Sequence, residues 1–306
     1  MGEENDILRN GMARDGQRRL NCYRSLDKAA REAIVEDWLS QQADSEATSW
    51  ESAVERFFPD HAAAWSDPDE HYRRLTSDWN TLDALQYVDW PALMGAGNQR
   101  VLDLGAGTGW LSAYLSRFDE VASIDTLDSS RRLLEKMLPS IVERMEGVAE
   151  KINPIRALFT PLQRPASSYD LIVASSAVHH APQLSGVLDE CARVLAASGV
   201  LVILNETPLS TYRSLNWMAR IGIKAALSLL AGRCPTYART VSGGGILYEP
   251  YLGDRAYSLR QWKTAFAQSN WRVSVIRTPL GSYKGGGRRQ TRLTHFVLRK
   301  SAAATA

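Results

Sequence analysis

The chain has 306 residues, 44% of them apolar, and a net charge of +2 from 36 basic and 34 acidic side chains; this suits one α/β core with additions and excludes a general electrostatic pull toward nucleic acid or an anionic membrane, so a polyanionic partner would have to use a local patch. Three widely spaced cysteines, Cys22, Cys191 and Cys234, argue against a disulfide framework and against a zinc site, and no metal is expected. The acidic opening Met1-Gly2-Glu3-Glu4-Asn5-Asp6 lacks the basic and apolar regions of a secretory leader, so a cytoplasmic location is expected.

In chain order, residues 27–90 read as helical, with no strand pattern. A first helix carries Ala30, Ile34, Val35, Trp38 and Leu39 on one face. A second covers 50–58 and closes at Pro59; a third covers 72–88, where Leu75, Trp79, Leu82, Leu85 and Val88 recur at helical spacing. Residues 1–95 thus form a helical N-terminal extension or cap, and 96–306 a second unit.

At Arg100 the pattern changes. Val101-Leu102-Asp103-Leu104 is a short apolar run ending in glycines, with a helix behind it at 110–118. Further runs at 121–124, 171–174 and 200–204 alternate with helices at 129–148 and 184–195, which implies a parallel sheet covered on both faces. An insertion at about 207–257 follows. Within it, residues 215–230 are apolar but carry Arg220 and Lys224 and stop short of the ~20 residues of a membrane span. They read as an amphipathic helix that packs on the core or closes as a lid, in preference to an interfacial anchor. The strand-like runs 271–278 and 293–300 flank a glycine-rich turn and form an antiparallel hairpin. The expected fold is α/β: a Rossmann-like, doubly wound, mostly parallel sheet with a C-terminal antiparallel hairpin, a helical N-terminal extension and a cap insertion.

The most informative stretch is Asp103-Leu104-Gly105-Ala106-Gly107-Thr108-Gly109-Trp110. Its glycines allow a sharp turn and close approach of a ligand, and the helix behind points free N–H groups at the same place. A dinucleotide fingerprint needs its third glycine where Trp110 stands, and Asp103 would repel a pyrophosphate. The loop suits a ligand with an amino group and one carboxylate, which disfavours a nicotinamide-dependent oxidoreductase. Asp125, at the end of the next apolar run, can accept hydrogen bonds from both ribose hydroxyls, whereas Asp128 is expected to be exposed or to cap the helix from Ser129.

Residues 101–109, with Tyr169-Asp170-Leu171-Ile172-Val173, Ala177-Val178-His179-His180 and Arg193-Val194-Leu195, resemble the class I S-adenosylmethionine (SAM)-dependent methyltransferases over about 100–300. The resemblance implies SAM as cofactor, held by Asp103, Gly105, Ala106, Gly107, Thr108, Gly109, Asp125 and Thr126. Because Ala157-Leu158-Phe159-Thr160 lacks the acid often found near the adenine, Phe159 and Thr160 are expected there, with Ser175 completing the site.

Candidate catalytic groups lie where ligands of open α/β sheets bind: His179 and His180 after the fourth strand and Glu206 after the fifth. Either histidine could be base, substrate holder or pocket wall; Glu206 could meet a cationic acceptor or cap the chain. Tyr212, Trp217, Tyr237, Tyr248 and Tyr251 in the insertion could wall an acceptor pocket, and Lys284, Arg288, Arg289 and Arg292 could meet an anionic acceptor or simply face water. The expected partner is a small molecule methylated at oxygen or nitrogen. Nucleic acid is not expected, because Ala174-Ser175-Ser176-Ala177 lacks the Asn/Asp-Pro-Pro-aromatic set used on base amino groups. A protein substrate, or a non-catalytic SAM-binding subunit, stays open, as do the acceptor and the oligomeric state.

Overall fold

The computed structural model describes residues 35–40, 51–52, 55–56, 59–95, 97–181, 183–210, 212, 215–216, 219, 222–223, 226–227, 230–231, 247–248, 254–285 and 290–301. Ten strands occur among them: β1 (Glu36–Asp37), β2 (Gln99–Leu104), β3 (Val121–Asp128), β4 (Ile152–Arg156), β5 (Tyr169–Ser175), β6 (Leu195–Glu206), β7 (Leu247–Tyr248), β8 (Arg255–Ala256), β9 (Trp271–Gly281) and β10 (Arg292–Lys300). Eight form one sheet in the order β1-β4-β3-β2-β5-β6-β10-β9, and β7 and β8 make a separate antiparallel pair. Pairing is parallel from β1 to β6 and antiparallel for β6-β10 and β10-β9. The doubly wound sheet with its terminal hairpin is therefore present.

Side chains along the central strands alternate between two cores. Leu171 and Val173 of β5 and Val200, Val202 and Leu204 of β6 face one; Ile172 and Ala174, with Leu201 and Ile203, face the other. With both sides apolar, helices must cover both. On one side lie α3 (Trp90–Met94), α4 (Trp110–Ser116) and α5 (Leu138–Arg144); on the other, α6 (Leu184–Val194) and α7 (Leu259–Gln268). A reciprocal Ser258–Gln261 capping box starts α7.

The N-terminal segment departs from the all-helical reading. Glu36–Asp37 is a strand, parallel to β4, and Trp38 bonds back through its N–H to the Arg156 carbonyl at 2.9 Å. Val35, Trp38 and Leu39 are not helical either, and residues 27–34 lie outside the described residues. Residues 51–52 and 55–56 are helical, as the second expected helix requires, but Pro59 does not end the helical backbone, since α1 (Pro59–Ala64) includes it. The third expected helix breaks into α2 (Pro68–Arg73), a π turn (Arg74–Asp78) and a 3-10 turn (Asp83–Tyr87). Its apolar spacing is satisfied, since Leu75, Leu85 and Val88 are buried. The backbone is extended at Trp79, with φ −98 and ψ 148, because it bonds to the hairpin tip: Asn80 N–H donates to Ser282 O at 3.1 Å, and Lys284 N–H to Asp78 O at 2.7 Å. Tertiary hydrogen bonds here override local periodicity.

Of the helix expected at 215–230, residues 217–218, 220–221, 224–225 and 228–229 lie outside the described residues. Residues 212, 215–216, 219, 222–223, 226–227 and 230 are helical, and every one of them is exposed. This stripe does not pack on the core.

Candidate active site

The glycine-rich loop joins the C-terminal end of β2 to α4. Gly105, Gly107 and Gly109 have φ of +71, +57 and +76, values that disfavour any side chain. A Cβ on Gly105 would lie 2.7 Å from the Ala177 Cβ and 2.9 Å from a Phe159 ring carbon, so the loop, the turn after β5 and Phe159 meet at one point. Around Gly107 the same construction meets nothing within 4 Å: the loop opens there onto free space.

Two carboxylates flank that opening. Asp103 is 1% exposed; its Oδ2 accepts from the Ser112 hydroxyl at 2.7 Å, while its Oδ1 is buried without a partner. Burial, opposed by Ser112 and reinforced by the charge of Asp128, pushes its pKa up to about 7. Ser112 also meets the Thr126 hydroxyl at 2.8 Å, which places Thr126 beneath the loop, fully buried. Asp128 Oδ2 accepts the Gly107 N–H at 2.8 Å and its Oδ1 the Ser130 N–H at 2.9 Å, with burial the main cause of its raised pKa. Thr108 meets Nε2 of His71, from α2, at 2.8 Å. Burial, aided by Arg74, pulls the His71 pKa down to about 4, so this ring is neutral.

The expectation that Asp125 stands at the strand tip is corrected by this geometry. β3 continues to Asp128, so Asp125 lies about 10 Å lower on the strand. Three residues apart on a strand also means opposite faces. Asp125 accepts from Tyr169 OH at 2.7 Å and Arg164 Nε at 3.1 Å, and Arg164 in turn pairs with Glu36 at 2.8 Å. Asp125 therefore fastens β1 and the 157–168 loop to the sheet. Asp128, expected to be exposed or a helix cap, does cap Ser130 but also holds the glycine loop.

At the ends of β5 and β6 a second cluster forms. His179 Nδ1 lies 2.9 Å from Glu206 Oε2, and Glu206 is 3% exposed with its other oxygen buried and unpartnered. Asp254, absent from the sequence-based set, reaches His180 Nδ1 at 3.2 Å and His179 Nε2 at 3.7 Å. Burial opposes charge on His179, but Glu206, by charge and hydrogen bond, and Asp254 outweigh it and raise the pKa. Nε2 of His179, Nδ1 of His180 and an Asp254 oxygen lie within 4.8 Å of one another, a spacing that could also admit a cation. Beside them, Asn205 donates to Ser175 Oγ at 2.9 Å and keeps a buried, unpartnered Oδ1. The Asn205 N–H donates to His295 Nδ1 at 3.0 Å, so His295 carries its proton on Nε2 and donates it to Ala84 O at 2.9 Å.

Other residues that the sequence singles out sit elsewhere. Asp170 is ion-paired to Arg100 at 2.9 Å at the opposite end of the sheet. Lys284 pairs with Asp83 at 2.9 Å and bonds to Thr76 O, so it anchors the N-terminal segment rather than waiting for an anionic acceptor. Cys191 is buried and its thiol is pushed up to about 12, which removes it as a nucleophile. Tyr212 is 77% exposed; Trp217, Tyr237, Tyr251, Arg288 and Arg289 lie outside the described residues, and no Tyr248 side-chain placement is described.

Comparison with known proteins fits this arrangement. A family model described as "Methyltransferase domain" matches residues 102–203. A ubiquinone biosynthesis O-methyltransferase of Nitrosomonas europaea is 27% identical over 60% of this chain and 74% of its own length. A sterol 24-C-methyltransferase of Aspergillus fumigatus is 33% identical over 33% of this chain and 26% of its own. A solved structure from Galdieria sulphuraria, named as a candidate sarcosine dimethylglycine methyltransferase, superposes with TM-score 0.51 at 19% identity, covering 72% of this chain and 85% of that one. The chain spans between 26% and 74% of the length of such curated relatives. The partnerless Asp103 oxygen, an acceptor awaiting an ammonium, and the free space at Gly107 fit an adenosyl amino acid. The glycine loop, its two carboxylates and the family match together mark residues 102–203 as a methyltransferase domain with SAM as its cofactor, similar to the class I SAM-dependent methyltransferases.

Proposed function

We propose that the chain methylates an oxygen or nitrogen of a small molecule, with His179 accepting the proton that the acceptor loses. The observation that carries this reading is the buried Glu206 carboxylate 2.9 Å from His179 Nδ1. A carboxylate there fixes the proton on Nδ1 and leaves Nε2 with a lone pair, the state of a general base. SAM, when bound, supplies a methyl group already activated by its sulfonium. The protein's remaining work is alignment, which can supply about 7–11 kcal/mol of barrier lowering.

Each part has a role. Asp103 Oδ1 receives the cofactor's ammonium, and the start of α4 faces its carboxylate. Asp128 takes the ribose hydroxyls, and Phe159 lies against the base. Asn205 and Glu206, with unpartnered buried oxygens at the end of β6, can accept hydrogen bonds from the methyl acceptor. Relatives named as a ubiquinone biosynthesis O-methyltransferase and a sarcosine/dimethylglycine N-methyltransferase support a small-molecule acceptor.

The test is calorimetry with S-adenosylhomocysteine (SAH), followed by incubation with methyl-labelled SAM and pools of hydroxyl and amine metabolites read by mass spectrometry. Micromolar-range binding and a labelled product that is lost in His179→Ala are expected. Binding without product from any pool overturns the catalytic reading, and absence of SAH binding overturns the whole.

A further inference from the structure

The largest feature that the methyl-transfer chemistry leaves unused is the exposed face of the insertion helix. Tyr212, Leu215, Ile223, Leu227 and Leu230 are 77%, 62%, 61%, 59% and 86% exposed. They recur at intervals of three, four, seven and eight residues, so they form one stripe. Elsewhere among the described residues the exposed large apolar side chains are Tyr87, Leu158 and Tyr283, scattered and at most 51% exposed. A contiguous apolar stripe on a surface otherwise kept polar marks an interaction site.

Charge decides what covers it. Between Glu206 and Glu249 the sequence has no acidic residue and five basic ones, Arg213, Arg220, Lys224, Arg233 and Arg239. In a chain whose overall charge is only +2, this is a strong local excess. Two copies meeting through this segment would bring like charges together, whereas an anionic lipid surface would accept both the apolar stripe and the cations. Among the described residues no helix is long and apolar enough to cross a membrane.

We infer that the insertion helix docks the protein on an anionic lipid surface through the stripe Tyr212, Leu215, Ile223, Leu227 and Leu230. The insertion leaves the sheet at Glu206 and returns at Asp254, beside His179 and His180. A docked helix would hold this cluster next to the lipid, where acceptors partitioned into a bilayer are concentrated.

The full chain is sedimented with vesicles of phosphatidylcholine alone and with vesicles in which about a third of the lipid is phosphatidylglycerol. Binding to the anionic vesicles is expected to exceed that to neutral ones by at least about tenfold and to weaken strongly in ~0.5 M salt. Leu215→Ser/Ile223→Ser/Leu227→Ser, which changes only exposed positions, is expected to lose the binding at least about tenfold while far-ultraviolet dichroism stays that of the wild type. Arg220→Glu/Lys224→Glu is expected to lose the anionic preference. No sedimentation with either vesicle, or binding that survives the triple substitution, overturns the inference. So does a dimer in sedimentation velocity that the triple substitution dissolves, since a second copy would then be the occupant.

Discussion

Replacing Asp103 by Asn tests the electrostatics beneath the glycine loop most sharply. In the folded chain its carboxyl is raised from 3.8 to about 7, chiefly by burial. The folded state therefore holds a proton that the unfolded state has lost, and stability falls as pH rises from about 4 toward 7. At about 1.4 kcal/mol per pH unit, the full penalty approaches ~4 kcal/mol above neutrality, and about 2 kcal/mol of it is already present at pH 5. Asn does not ionise. Whatever fixed cost its amide adds, the stability of Asp103→Asn relative to wild type should improve by about 2–3 kcal/mol between pH 5 and pH 8. Urea titrations at both pH values measure this, and the fixed cost cancels in the comparison. A stability of Asp103→Asn relative to wild type that stays constant or falls with rising pH would refute the idea that Asp103 is a buried acid whose charge is uncompensated. The same acid explains a second observable: an ammonium placed on Asp103 Oδ1 restores ionisation, so SAH binding near pH 7 should release a proton, visible as a dependence of the calorimetric heat on buffer.

Asp128→Ala should weaken SAH at least about tenfold, as loss of charge-assisted bonds does, whereas Asp125→Asn should leave SAH affinity within about twofold and lower the melting temperature, because its partners are Tyr169 and Arg164. A hydroxyl acceptor should be methylated along a rising pH limb whose midpoint lies above the ordinary histidine value, since neutral His179 is the active form; Glu206→Gln removes the charge that raises this midpoint and should move it to lower pH. An unmoved midpoint would take His179 out of the proton transfer. Gly109→Ala forces a side chain at φ +76 and a Cβ into the Leu138 side chain, so a loss of about 1–3 kcal/mol in denaturant titration is expected.

Much of the sheet was legible because its strands are short apolar runs bounded by glycines and helices, as at 101–104 and 171–174. β4 was harder to read, for Pro154 breaks its run yet pairs in register with Thr126. The N-terminal segment misled because Leu75, Leu85 and Val88 obey helical spacing and are buried, while the backbone between them is set by bonds to residues some 200 positions away, such as Asn80 Nδ2 to Gly281 O. In the site, Gly105, Gly107, Gly109 and Asp103 could be named from local pattern alone. Asp125 was favoured over Asp128 because the apolar run ends at Ile124; hydrogen bonding to Leu104 and β4 carries the strand four residues further. His71 and Asp254 carry no local signal, and only the fold brings them to Thr108 and the histidine pair.

Residues 36–80 touch the sheet at both of its rims: β1 lies along β4 at one, and Trp79 and Asn80 meet Tyr283 and Ser282 at the other. A belt buckled at both ends makes the two rims mechanically dependent. Amide exchange should then report one cooperative opening for β4 and the tip of β9, although eight-strand order keeps them at opposite sides of the molecule. Cutting the chain ahead of residue 96 would bare the β4 edge to pairing with other chains.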